Sequence, residues 1–70
     1  MAKDEKAKLG ILLDHWIEHN REHAEEFTEW AEKARGFGQP AVHDDMTQAV
    51  KQITKANEYL LAALKRLKEK

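Results

Sequence analysis

One interruption constrains this chain more than any other feature. Gly36-Phe37-Gly38-Gln39-Pro40 holds two of the three glycines and the only proline, and no Gly or Pro follows it. These residues are the strongest breakers of regular backbone. The chain therefore divides once, into two long segments, and so short a connection favours antiparallel neighbours. The expected fold is all-α, a two-helix antiparallel hairpin forming one domain over residues 1–70, with a helix near 5–35, a turn at 36–40 and a helix near 41–68.

Both segments carry apolar residues at spacings of three and four, the mark of an amphipathic helix. In the first they are Leu9, Leu12, Leu13, Trp16, Phe27, Trp30, Ala31 and Ala34, with Asn20 and His23 on the same face. In the second they are Val42, Met46, Ala49, Val50, Ile53, Leu60, Leu61, Leu64 and Leu67, with Asn57 among them. Asp4 is a candidate cap for the first helix. Its far end at Arg35-Gly36 suits a left-handed glycine with Phe37 folding back on the last turn. Two starts are open for the second helix: Pro40 in its first position, or Asp44 as a cap with Ala41-Val42-His43 irregular.

Antiparallel helices joined here put residues face to face when their numbers sum to about 76 or 77. Phe27 then meets Val50, Trp16 meets Leu60 or Leu61, Leu13 meets Leu64, and Asn20 meets Asn57. A buried amide costs energy unless bonded, so an Asn20–Asn57 bond would fix the register, the alternative being two amides at a wet edge. Charge agrees loosely. Residues 1–35 hold six basic and nine acidic side chains, a net of -3, and residues 41–70 hold six and four, a net of +2. Exposed ion pairs contribute only about 0 to 1 kcal/mol each, so packing decides.

Seventy residues without cysteine bury only about 60% of the extended-chain surface and have no disulfide to help. Two helices leave the Trp, Phe, Ile and Leu surface half covered, and pairing two hairpins into a four-helix bundle would close it. A homodimer is the expected assembly. The length also excludes a dinucleotide-binding domain and any enzyme that needs a deep pocket of its own. No Ser-His-Asp or Cys-His arrangement accompanies Thr28, Thr47 or Thr54, so no enzyme activity is expected.

The distinctive chemistry is the run His15-Trp16-Ile17-Glu18-His19-Asn20-Arg21-Glu22-His23. Side chains four apart on a helix share a surface, so His15 with His19, or His19 with His23, can chelate a divalent transition metal such as Zn²⁺ or Ni²⁺. All three on one ion is harder, because residues 15 and 23 lie about 12 Å apart along the axis with roughly 80° of angular drift. Glu22 and Glu26 lie on the same side and are candidates to complete the shell, as are matching residues of a second hairpin. His19, His23 and Glu26 form the best trio. The competing reading is a non-enzymatic oligomerisation or protein-interaction module whose histidines are structural and bind no cofactor.

Two overlapping H-x-x-E-H stretches, His15–His19 and His19–His23, resemble the motif of inverted zinc peptidases, but the likeness stops at five residues and the chain has no room for that enzyme's sheet and cleft. The Glu-x-x-His order of di-iron bundles does not occur at any histidine. His43, beside Asp44 and Asp45, falls opposite Ala34 and about 15 Å or more from His23, so it belongs to no shared site. A net charge of -1 speaks against nucleic-acid binding. No apolar run reaches the roughly 20 residues of a membrane span and no leader-like segment opens the chain, so a cytoplasmic protein with no membrane partner is expected.

Overall fold

Two helices account for almost the whole chain in the computed structural model, which describes residues 2–69: α1, Ala2–Gly36, and α2, Pro40–Lys68, packed against each other along a rod of 53 × 14 × 13 Å. Asp4 does not cap α1. It lies with Glu5 in the first turn, where a carboxylate opposes the positive end of the helix dipole. No described helix is long and apolar enough to cross a membrane.

The seam between the helices is narrower than the amphipathic faces suggest. Gly10, Leu13, Ile17, Asn20, Ala24, Phe27, Ala31 and Ala34 on α1, with His43, Met46, Val50, Ile53, Asn57, Leu60, Leu64 and Leu67 on α2, are all buried or half-buried. Beyond them only His23 and Thr47 are less than exposed among the residues whose burial is described. The spacing alternates strictly between three and four, a mean of 3.5, which is the seam of an antiparallel coiled coil. A Cβ at Gly10 would lie 3.8 Å from Leu67 Cδ2, and Asn20 Nδ2 donates to Asn57 Oδ1 at 3.0 Å. Both contacts set one register, in which facing numbers sum to 77.

That register corrects one expected layer. Ile17, not Trp16, sits opposite Leu60; Ile17 is 5% exposed and Trp16 41%. The two differ by 100° around α1, and a seam only one helix wide cannot bury both. Leu9, Leu12, Trp30, Val42 and Leu61 are likewise exposed, and Ala49 with them. The core is therefore small. Leu13, Ile17 and Leu64 form its buried cluster with Leu60 and Leu67 packed on it, each buried aliphatic side chain contributing about 1.5–3 kcal/mol. Towards the turn the buried residues of α1 are Ala31 and Ala34.

The connection is three residues long, and its left-handed position is Gly38 (φ 90°), not Gly36. Gly38 N–H donates to Arg35 O at 3.2 Å and Gln39 N–H to Ala34 O at 2.9 Å. These are the two reverse bonds of a Schellman cap with Gly38 just past the helix end. Phe37 does not fold back; it is 67% exposed. Pro40 opens α2, where a missing N–H costs nothing, and Gln39 occupies the cap position without a side-chain bond. The Asp44-capped start is thereby excluded.

Candidate functional site

The histidine row lies on α1 and crosses its surface obliquely. Relative to the seam, His15 is on the outer line, His19 is one line closer, and His23 is immediately beside the seam, because each step of four residues turns by about 40°. The rings touch in sequence. His15 and His19 stack with centroids 5.8 Å apart, His19 and His23 meet edge to face at 4.4 Å, and His23 lies 5.7 Å from the Phe27 ring. His23 Nδ1 is 3.8 Å from Glu26 Oε1. Only His23 of the row is half-buried.

Of the residues expected to ligate a metal, His23 is the one that meets two others, His19 through its ring and Glu26 through its Nδ1. Glu22 lies seven residues from His15 on the outer line and is exposed. Among the described residues no group of three or more His, Asp or Glu side chains is arranged to hold a metal ion. One chain thus offers an imidazole pair with a carboxylate beside it, short of the four ligands that zinc ordinarily takes.

A second stripe runs through His23. Leu9, Trp16, His23 and Trp30 follow one another at intervals of seven, and Phe37 continues the spacing into the turn. All flank the same edge of the seam. The matching edge of α2 carries Val42, Ala49, Ala56 and Ala63, again at intervals of seven. Leu9 is 40%, Trp16 41%, Trp30 53% and Val42 42% exposed. Lys33 Nζ sits 4.3 Å above the Trp30 ring. Taking the apolar face as one broad surface hides this stripe; the exact interval of seven was the signal available in the sequence.

His43 belongs to neither feature. It is a seam residue near the turn, its Nε2 3.2 Å from Glu32 Oε2 on α1 and its Nδ1 3.1 Å from Asp44 Oδ1. It ties the helices together there through Glu32, a partner that its expected place opposite Ala34 did not indicate.

Residues 9–67 match the family model described as "Domain of unknown function (DUF8180)". A protein of Archaeoglobus fulgidus, named "Uncharacterized protein", is 35% identical over 57 residues, covering 81% of this chain and 90% of that relative. No solved structure matches the chain at a significant level.

Proposed function

The chain belongs to the DUF8180 family, and from its surface we propose that it is a self-associating helical module in which two hairpins dock through the Leu9/Trp16/His23/Trp30 side to make a four-helix bundle. The observation that carries this reading is uncovered area. The chain exposes 5744 Å², whereas a compact monomer of 8.1 kDa exposes about 4,500 Å²; the excess of about 1,200 Å² exceeds the roughly 800 Å² each partner gives to a standard interface.

The make-up of the stripe side supports a second copy as the occupant. Both helices contribute to the stripe side, one with large side chains and the other with alanines that let a neighbouring helix approach closely. A patch of this kind, with two tryptophans at its centre line, has the composition of an interface core. The module would act by assembly and by presenting its outer faces, without a reaction of its own.

Sedimentation equilibrium of the purified chain in the presence of a chelator tests the proposal. A dimer at about 10 μM, dissociating with loss of helicity on dilution, is the expected result. A folded monomer at about 500 μM overturns it.

A further inference from the structure

Building on that self-association, we infer that His19 and His23 are half of a divalent transition-metal site, completed on a twofold axis by the same two residues of the second copy. The stripe reads alike in both directions from His23: Trp16 and Trp30 lie seven residues away on either side, Leu9 and Phe37 fourteen away. In a twofold contact, if residue i touches j then j touches i. An antiparallel crossing of α1 with its copy centred on His23 sets Trp16 against Trp30, Leu9 against Phe37, and His23 against its own equivalent. A shift of one heptad would place His23 on a tryptophan and part the two histidines.

The second helix agrees on the axis. The stripe Val42, Ala49, Ala56, Ala63 has its midpoint between Ala49 and Ala56. Through the register set by Asn20–Asn57, that level faces residues 24 and 25 of α1, within one turn of His23. One axis therefore serves both pairs of helices.

At the crossing each chain presents His19 and His23 with rings 4.4 Å apart, so two chains supply four imidazoles, a set suited to tetrahedral Zn²⁺ and acceptable to Ni²⁺. Glu26, 3.8 Å from His23 Nδ1, is placed to hold the ring nitrogen that does not face the ion. His15 lies a further turn out and takes no part. The ion also answers an electrostatic problem: residues 1–35 carry a net charge of -3, so two α1 helices repel, and a dication at their crossing offsets that repulsion.

Calorimetric titration of the full chain with Zn²⁺, alongside sedimentation with and without chelator, tests the site. The expected isotherm saturates at one ion per two chains with a dissociation constant below about 10 μM. His19→Ala, at an exposed position that folding does not require, should weaken it at least roughly tenfold, and His15→Ala should leave it unchanged. In this cysteine-free chain, His23→Cys should crosslink to itself on oxidation, because the crossing brings the two positions within disulfide reach.

One ion per chain, no saturable binding, or equal weakening by His15→Ala would overturn the site while leaving self-association standing. A dimer that fails to crosslink through position 23 would overturn the crossing, pointing instead to α1 docked on α2 of the second copy. A monomer under every condition removes the self-association on which the site rests.

Discussion

The seam has two flanks, and they differ. On one, α1 presents Leu9, Trp16, His23 and Trp30 beside Val42, Ala49, Ala56 and Ala63 of α2. On the other, α1 presents Asp14, Arg21, Thr28 and Arg35 beside Thr47, Thr54, Leu61 and Lys68. The polar flank looks after itself. Arg21 pairs with Glu18 at 3.4 Å and Arg35 with Glu32 at 2.8 Å, while Thr28 and Thr47 donate to carbonyls one turn back, Ala24 O and His43 O. The apolar flank has few such internal partners. Identical seam packing thus leaves two unlike sides: a polar one whose side chains pair locally around an open groove lined by Arg21, Ala24, Thr54 and Leu61, and an apolar one on which the proposed self-association rests.

The largest expected effect breaks the apolar flank. Replacing Trp16 and Trp30 together by Ala should raise the dimer dissociation constant by roughly 1,000-fold, about 4 kcal/mol, as read by sedimentation, because buried tryptophans are typical interface anchors. The seam itself comes next, since its register decides which residues share a flank. Asn57 accepts from Asn20 and donates from Nδ2 to Ile17 O at 3.0 Å. Asn57→Ala, which leaves the Asn20 amide unpaired in a half-buried layer, should cost about 1–2 kcal/mol in urea unfolding at fixed protein concentration.

A comparable effect is expected at the turn. No atom lies within 4 Å of a Cβ added at Gly38, so Gly38→Ala should cost only the left-handed backbone penalty, about 1–2 kcal/mol. The smallest sharpens the comparison from the other side. Arg21→Ala and Arg35→Ala on the polar flank should change stability by less than about 0.5 kcal/mol each and leave dimerisation untouched. An assembly as sensitive to these arginines as to the tryptophans would erase the distinction between the flanks.

The hairpin, its antiparallel sense and the Asn20–Asn57 pair were legible in the sequence because breakers, periodicity and an amide on each apolar face are all local or nearly local signals. Trp16 was not. Periods of 3.6 and 3.5 residues assign it differently: a broad face includes it, while a coiled-coil seam passes through Ile17 and leaves the indole outside. The exchange of Gly36 for Gly38 has a different origin: two glycines two residues apart can both cap, and the choice falls where the helical hydrogen bonds run out. For the candidate site, the contacts of His23 with His19 and Glu26 followed from helical spacing, whereas the Glu32–His43 bridge required knowing which α1 side chain reaches over the seam at the turn.

The three-residue connection also gives the hairpin a starting point for zipping. Closing so short a loop costs little entropy, and the layers nearest it, Ala31 and Ala34 with Met46 and His43, are the first that a zipping hairpin can form. From α1 they bury only the small side chains of Ala31 and Ala34. The leucine-rich cluster of Leu13, Ile17 and Leu64 lies at the far end and, in a hairpin that zips from its turn, closes last. Folding should therefore be limited at the Schellman turn and its alanines, so that Gly38→Ala slows folding, while truncation of Leu64 chiefly hastens unfolding.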